Sequence, residues 1–299
     1  MTGTATAPRL LLALDCDGTL LDPTGHITPR VRDAVRAAAE AGALVTLATG
    51  RRLQGARQYA AELGLRTPLV LQDGATVQDP LTGALLHQDP LPAALVVRLV
   101  QLALEYGLHP LLQRITEDPV GDTIHVLDAA GEDPVMAQYL ASRTPVMRGD
   151  QAGLIAATPI ARFQAMGAEA PARALLAHVQ ERVEELCCRA LLSAPLDYAD
   201  FPLWAVLVSN GGCSKAEAVA ALAARHQLTL AQCVVVGDWF NDVELLEQVR
   251  DAGGVSVAMG QAPDEVKAAA GFVVGTNVED GVAEAIERFV LPALQPARR

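Results

Sequence analysis

The chain has 299 residues, of which 51% are hydrophobic and 19% are charged. This composition excludes a disordered chain, which would be poor in apolar residues and highly charged. At about 100–200 residues per domain, the length suggests two domains. The formal net charge of −12 argues against nucleic acid as a partner, because phosphate backbones attract basic faces. A small phosphorylated ligand stays compatible with this charge, since a bound cation can reverse the local field.

The sequence indicates neither membrane insertion nor secretion. It contains no run of about 18 uninterrupted apolar residues, the length that a membrane-spanning helix needs. The segment from Met1 to Pro8 has no basic residues ahead of the short apolar run, so we expect no signal peptide. The five cysteines show no CxxC spacing and are expected to be reduced thiols. We therefore expect a cytoplasmic protein without a membrane partner, either a monomer or a small homo-oligomer.

Strands and helices alternate in the first third of the chain. Apolar runs predict buried strands at 9–14, 43–48 and 69–71. Thr28 and Pro29 are typical of a helix N-cap and first turn, and Gly42 is typical of the end of that helix. A second helix is predicted at 52–63, closed by Gly64. This alternation predicts a parallel sheet with helices on both faces.

The pattern is looser in the middle of the chain. Helical tracts at 93–106 and 172–185 are mixed with short strands at 123–127 and 205–208. We interpret 85–208 as an inserted α/β domain. The segments 1–84 and 209–299 would then form one core domain.

The alternation returns after Gly211 and Gly212. Ser214 and Glu217 form an S-x-x-E capping box, which predicts a helix at 215–226. Further strands are predicted at 233–236 and 255–258, and further helices at 241–249, 264–270 and 280–290. The predicted fold class is therefore α/β, with a doubly wound parallel sheet as the core.

Two aspartates follow the first predicted strand, in the run Asp15-Cys16-Asp17-Gly18-Thr19. In open parallel sheets, ligands bind beyond the carboxyl ends of the strands. Residues two apart in an extended segment lean the same way, whereas Cys16 should point into the core. An Asx turn leaving the strand is the structural alternative. The pattern favours a functional site.

Three later segments strengthen this interpretation. Thr49 and Gly50 follow the second strand, where a hydroxyl and backbone amides suit an anion, although Thr49 is equally typical of a helix cap. Lys215 opposes the dipole of its helix at a cost of about 0.3–1 kcal/mol, which a bound anion or nearby carboxylates would explain. Asp238 and Asp242 leave another buried strand and are either caps or ligands.

These segments are expected to converge at one edge of the sheet. Convergence would bring together Asp15, Asp17, Asp238 and Asp242. Carboxylates that lie close together raise one another's pKa unless cations compensate their charge. Because oxygen ligands select a hard ion, magnesium is the predicted cofactor, with Lys215 as a second positive charge.

With these motifs in this order, the sequence resembles the haloacid dehalogenase (HAD) superfamily of phosphohydrolases. It most resembles the Cof-type branch, which carries a large α/β cap of type IIB. The matching positions are Asp15, Asp17, Gly18 and Thr19 in the first motif, Thr49 and Gly50 in the second, Lys215 in the third, and Gly237, Asp238, Asn241 and Asp242 in the fourth. The resemblance runs from Leu10 to about Arg288 and implies a HAD-like Rossmannoid core.

The resemblance implies a magnesium-dependent phosphomonoester hydrolase. Asp15 would attack phosphorus and form an aspartyl-phosphate, and Asp17 would protonate the leaving oxygen and then activate water. Asp15, Asp238 and the backbone carbonyl of Asp17 would bind magnesium, and Asp242 would do so directly or through water.

Other matched residues would bind the phosphoryl group. The resemblance gives this role to Thr49, the Gly50 amide and Lys215, and it makes Asn241 a supporting hydrogen-bonder. The implied substrate is a small phosphorylated metabolite. A sugar phosphate ranks ahead of a pyridoxal or flavin phosphate. The aromatic content of 4% weakly disfavours a pocket for a stacked ring but does not decide between them. A phosphotransferase or mutase would share phosphorylation of Asp15, and a non-catalytic phosphometabolite-binding protein would be expected to lack part of these motifs.

Three positions depart from the branch. Trp239 and Phe240 stand where its members usually have small or polar residues, and either packing or substrate contact would explain them. Asp73 stands where asparagine is frequent, and a carboxylate cannot donate a hydrogen bond as an amide does. These departures affect the choice of substrate rather than the reaction.

Overall fold

The structure is a computed structural model. It describes residues 10–116, 123–128, 133–141, 146–156, 159–193, 196–198 and 201–295. The expectation about a signal peptide, which concerns residues 1–8, lies outside them. The chain divides into two compact units, one formed by Met1–Thr82 with Ser214–Arg299 and the other by Gly83–Cys213.

The strands in chain order are β1 (Leu11–Leu14), β2 (Leu44–Leu47), β3 (Leu69–Leu71), β4 (Thr76–Gln78), β5 (Leu85–Gln88), β6 (His109–Arg114), β7 (Ile124–Leu127), β8 (Val146–Gly149), β9 (Ile160–Gly167), β10 (Cys188–Leu192), β11 (Leu196–Tyr198), β12 (Phe201–Asn210), β13 (Cys233–Gly237), β14 (Val255–Ala258) and β15 (Phe272–Val273).

The α-helices are α1 (Pro29–Glu40), α2 (Leu53–Leu63), α3 (Ala93–Glu105), α4 (Pro134–Ala141), α5 (Gln151–Ala156), α6 (Glu169–Gln180), α7 (Val183–Leu186), α8 (Lys215–Arg225), α9 (Val243–Asp251), α10 (Asp264–Ala269), α11 (Gly281–Ala285) and α12 (Leu291–Leu294). A π-helical turn, Ile286–Val290, joins the last two. Within the described ranges, no helix combines the length and the apolar character needed to cross a bilayer.

A parallel sheet forms the centre of the first unit. Its strands lie in the order β15-β14-β13-β1-β2, and every neighbouring pair is parallel. A parallel bridge between Ala48 and Val70 places β3 beside β2, and β4 pairs with β3 in the antiparallel sense. Because the chain moves outward from β1 in both directions, the sheet is doubly wound. The predicted fold class is confirmed.

Apolar residues on both faces of this sheet explain its layers. On one face, Leu12, Leu14 and their neighbours pack with α1, α2 and α11 in a single buried cluster. The helices α8, α9 and α10 contact β3, β13 and β14, and their residues lie outside that cluster. They therefore cover the opposite face, as expected for strands buried on both sides.

Local sequence signals set several helix ends. The Thr28 hydroxyl accepts a hydrogen bond from the amide of Val31 at the start of α1. Gly64 ends α2 in the left-handed conformation that favours glycine. The Ser214 hydroxyl accepts from the amide of Glu217 at 3.1 Å and caps α8. The cap at Ser214 fixes the start of the helix that carries Lys215.

The second unit contains a separate mixed sheet. Its order is β10-β12-β9-β6-β7-β8, with β11 paired to β12, and only the β7–β8 pair among the described pairings is parallel. The helices α3 and α6 pack with one buried cluster, and α4 packs with a second. The helix predicted at 172–185 is instead two helices, because Arg182 leaves the helical region with a φ of −127°.

Candidate active site

The first and fourth sequence motifs meet at the ends of the parallel strands β1 and β13. These strands pair with Leu14 opposite Val236, and the Asp15 amide donates to the Val236 carbonyl at 3.0 Å. Asp15 and Asp238 therefore leave adjacent strands at the same edge of the sheet. Each of Asp15, Asp238 and Asp242 offers a carboxylate oxygen, and these oxygens lie within 4.8 Å of one another.

A fully buried ammonium group lies among these carboxylates. Lys215 Nζ donates to Oδ1 of Asp15 at 2.6 Å and to Oδ1 of Asp242 at 2.7 Å. Burial disfavours the charged lysine, but Asp15, Asp242 and Asp73 outweigh it and raise the pKa of Lys215 above its ordinary value. The nearby carboxylates thus explain a cation at the N-terminus of α8.

The cluster holds more negative charge than Lys215 balances. Burial, followed by the charge of Asp242, raises the pKa of Asp238 to about 7. Burial also raises the pKa of Asp15 well above its usual range, although Lys215 acts in the opposite direction. Thr19 Oγ1 donates to Oδ1 of Asp238 at 2.7 Å, a contact that was not predicted from the sequence. An all-oxygen group with excess negative charge fits a hard divalent cation.

Two glycines allow the carboxylates to approach the backbone. Gly18 has a φ of +81°, and a Cβ there would lie 2.2 Å from Oδ2 of Asp238. A Cβ on Gly237 would lie 2.5 Å from Cγ of Asp242. Any side chain at either position would therefore displace a member of the cluster.

Asp242 also organises the loop that carries it. Its Oδ2 accepts from the amides of Asp238 at 3.1 Å and Trp239 at 3.2 Å. A 3₁₀ turn covers Phe240–Asp242, and the α-helix begins only at Val243. The helix predicted at 241–249 therefore starts later than expected, because this carboxylate fixes a tight turn before it.

The predicted phosphate-binding segment follows β2. Thr49 is buried, its amide donates to the Val70 carbonyl at 2.9 Å, and its hydroxyl accepts from the Arg51 amide at 3.2 Å. The hydroxyl thus closes a local turn around Gly50, while the N-cap of α2 is Arg52. A role of Thr49 and Gly50 in anion binding stays a prediction.

Asp17 does not join the three clustered carboxylates. Its side chain is 63% exposed and forms an ion pair with Arg51. Arg51 Nε donates to Oδ2 of Asp17 at 2.7 Å, and Nη2 donates to Oδ1 at 2.5 Å. The neighbouring Cys16 is buried in the core cluster, and burial raises the pKa of its thiol. Arg51 was not among the predicted site residues, and its one signal in the sequence is its position directly after Thr49 and Gly50.

A second supporting contact involves Asn241 and Asp73. Asn241 Nδ2 donates to Oδ1 of Asp73 at 2.8 Å, and that oxygen lies 3.9 Å from Lys215 Nζ. Gln72 and Asp73 both have left-handed backbones, with φ of 53° and 56°. The carboxylate at position 73 thus accepts a hydrogen bond from Asn241 at the edge of the cluster.

Comparison with known proteins defines the class of this protein. Residues 12–286 match the model of the haloacid dehalogenase-like hydrolases. The chain therefore belongs to this family, and its assignment to the Cof-type phosphatases is confirmed. It is an enzyme of the phosphatase class.

Individual relatives match over nearly the whole chain. It is 28% identical over 280 residues to pyridoxal phosphate phosphatase YbhA of Escherichia coli, covering 92% of this chain and 97% of the relative. It is 26% identical over 287 residues to 5-amino-6-(5-phospho-D-ribitylamino)uracil phosphatase YitU of Bacillus subtilis, covering 93% and 97%. A solved HAD subclass IIB sugar phosphatase has the same fold, with a TM-score of 0.73 and 20% identity over 93% of this chain and 98% of its own.

Proposed function

We propose that this enzyme hydrolyses small phosphomonoesters through an aspartyl-phosphate on Asp15, with magnesium as its cofactor. One observation carries the proposal, namely the buried ammonium of Lys215 between Asp15 and Asp242 at 2.6 and 2.7 Å. Phosphoryl transfer depends mainly on positioning and on stabilisation of charge. A buried cation beside a carboxylate nucleophile supplies both.

The proposed magnesium ligands are Asp15, Asp238 and the backbone carbonyl of Asp17. Asp242 already accepts from Lys215 with Oδ1 and from two amides with Oδ2, so we place it around the metal site through water. When bound, magnesium would offset the charge of the carboxylates and of the phosphoryl oxygens.

The proposed first step uses Asp15 and Asp17. Lys215 occupies Oδ1 of Asp15, so Oδ2 is the oxygen available to attack phosphorus. The new oxygen–phosphorus bond forms while the bond to the leaving oxygen breaks, and Asp17 gives that oxygen its proton. In the second step, Asp17 takes a proton from water, the water oxygen attacks phosphorus, and Asp15 is released. Thr49, the Gly50 amide and Lys215 would bind the phosphoryl oxygens throughout.

A sugar phosphate is the first candidate substrate, and the low aromatic content of the chain weakly favours it over a ring-containing ester. We propose that the inserted domain predicted at 85–208 selects the leaving group. A phosphotransferase reaction would use the same phosphorylated Asp15, with a sugar hydroxyl in place of water.

A phosphate ester of a ring-containing cofactor or precursor is the second candidate. Phe240 is 47% exposed and packs edge-on against Trp239, with ring centroids 5.3 Å apart. This pair directly follows Asp238, so a planar ring near the cluster would find an aromatic partner. The names of two relatives, one acting on pyridoxal phosphate and one on a ribitylaminouracil phosphate, support the same candidate.

The test is phosphate release from sugar phosphates, pyridoxal phosphate and flavin mononucleotide, with magnesium or with a chelator. Asp15→Asn is expected to abolish release without unfolding the protein, since the substitution keeps the size of the side chain. Asp33→Asn changes an exposed aspartate of α1 and is the matched control, with activity expected to equal that of the parent. Release that persists in Asp15→Asn would contradict the proposed nucleophile.

A further inference from the structure

The Arg51 side chain is fixed at three points. Its Nε and Nη2 donate hydrogen bonds to the two carboxylate oxygens of Asp17 at 2.7 and 2.5 Å. Its Nη1 donates to the Gly55 carbonyl in α2 at 3.2 Å. Its guanidinium carbon lies 5.0 Å from the centroid of the Tyr59 ring, and the Tyr59 hydroxyl donates to the Gly25 carbonyl at 3.1 Å. Both the arginine and the ring beneath it are therefore tied to the backbone.

Asp17, in contrast, has little else to hold it. Its side chain is 63% exposed, and Arg51 is the only hydrogen-bond donor to its carboxylate among the described residues. An exposed aspartate ordinarily samples several rotamers. A proton carrier must stay within hydrogen-bond reach of the atom that it serves, so free rotation would lower the rate.

We propose that Arg51 is a positioning residue that holds Asp17 in the orientation required for its two proton transfers. The inference rests on the proposed function, which makes Asp17 the proton carrier. Each carboxylate oxygen keeps a lone pair outside the two-point contact, so the held group can still accept a proton from water. No reacting atom needs to touch the arginine.

The geometry requires arginine in particular. Two parallel N–H bonds to one carboxylate need a planar fork, and the flat guanidinium also suits stacking on Tyr59. Lysine would keep the charge but provide a single point of contact. Arg51→Lys therefore separates orientation from charge.

The test measures kcat and KM for an alkyl phosphate and for p-nitrophenyl phosphate, with magnesium. We expect Arg51→Ala to lower kcat for the alkyl ester by about 10–100-fold, with KM within about 2-fold of the parent. The loss should be smaller for p-nitrophenyl phosphate, whose leaving oxygen needs less help from an acid. The kcat of Arg51→Lys should lie between those of the parent and Arg51→Ala, because lysine keeps the positive charge but cannot form the two-point contact.

A double variant identifies the partner through which Arg51 acts. If the arginine serves only to hold Asp17, Arg51→Ala should cause no further loss of kcat in an Asp17→Asn background. The matched control is Arg32→Ala. Arg32 also pairs with a carboxylate of this unit, with Nε and Nη2 both donating to Oε1 of Glu62, and it also donates to the carbonyl of Ile27. Its kcat should equal that of the parent.

Different results overturn different statements. A raised KM with unchanged kcat in Arg51→Ala would make the arginine a substrate-binding group, and an equal loss in the Asp17→Asn background would separate it from Asp17. Either result overturns the inference and leaves the proposed function intact. If Arg51→Ala does not fold, Arg51→Lys alone decides, by the presence or absence of a loss that depends on Asp17. A parent that hydrolyses no phosphomonoester would overturn the proposed function and this inference together.

Discussion

In the absence of divalent cations, we expect the free energy of unfolding of the first unit to fall as the pH rises. Burial and the charge of Asp242 raise the pKa of Asp238 from 3.8 to about 7. The folded protein therefore binds more protons than the unfolded chain between these two values. The stability that this proton contributes is fully present below the unfolded pKa and is lost as the pH rises through the folded pKa.

The expected size of the effect follows from the shift. Between the two pKa values, each pH unit changes the free energy of unfolding by about 1.4 kcal/mol. A rise from about pH 5.5 to about pH 8 should thus remove about 2 kcal/mol through Asp238 alone. For a domain of this size, that loss lowers the melting temperature by about 4–8 °C.

The two tryptophans allow the first unit to be followed separately. Trp239 belongs to the first unit and Trp204 to the second. In a Trp204→Phe variant, thermal unfolding followed by tryptophan emission therefore reports on the first unit. The melting temperature would be measured with a chelator at both pH values, and magnesium at the higher pH should restore most of the loss, because the cation binds the ionised carboxylates of the folded state.

Asp238→Asn is the matched comparison for this measurement. It keeps the shape of the side chain but cannot titrate, so the fall in melting temperature between the two pH values should shrink by about 4–8 °C. Titrating groups outside the cluster are common to both proteins and cancel in the difference. Asp15 does not cancel, because the charge of Asp238 helps to raise its pKa, and its changed titration adds to the difference. An equal pH dependence in the two proteins would refute the reasoning.

Three further outcomes are expected. Lys215→Met removes the buried cation and should lower kcat, measured by phosphate release, by about 100–1000-fold. It should also lower the free energy of unfolding, measured by thermal melts, by about 3–5 kcal/mol. Activity near that of the parent would contradict the proposed role of Lys215. Gly18→Ala places a Cβ against Asp238 and should weaken magnesium binding by at least about 10-fold in calorimetric titration. A loss of about 1.4 kcal/mol in binding free energy is enough for a 10-fold change in affinity. Unchanged affinity would show that the loop adapts to the added methyl group. Asn241→Ala removes a hydrogen bond to Asp73 and should lower the free energy of unfolding by about 1–2 kcal/mol in a denaturant titration. No loss would mean that the hydrogen bond is not formed in solution.

The helices and strands that depend on neighbouring residues in the chain could be predicted from the sequence. The cap of α8 follows from two residues three apart, and the end of α2 follows from Gly64. The parallel sheet follows from apolar runs that alternate with helices, because strands buried on both faces leave no other architecture for such runs. The gathering of Asp15, Asp238 and Asp242 then follows from the sheet, since each leaves or follows a strand at its carboxyl end.

The contacts that the sequence did not predict join residues far apart in the chain. The Thr19–Asp238 hydrogen bond spans 219 positions and depends on two rotamers. The Asp17 side chain pairs with Arg51 and lies outside the group of three carboxylates that it was expected to join, and nothing in the spacing of the two residues predicts this pairing. Sheet topology determines which loops meet, but the side chains within those loops compete for partners.

One turn beside the carboxylate cluster combines backbone strain with a side-chain contact. Gln72 and Asp73 adopt left-handed backbones without being glycine, at a cost of about 1–2 kcal/mol each. Glycine at position 73 would relieve that strain, yet it would also remove the carboxylate that Asn241 binds. The substitution that would relieve strain here is therefore one that removes a contact at the edge of the carboxylate cluster. If the cluster is the active site that we propose, selection for stability and selection for turnover act in opposite directions on this turn.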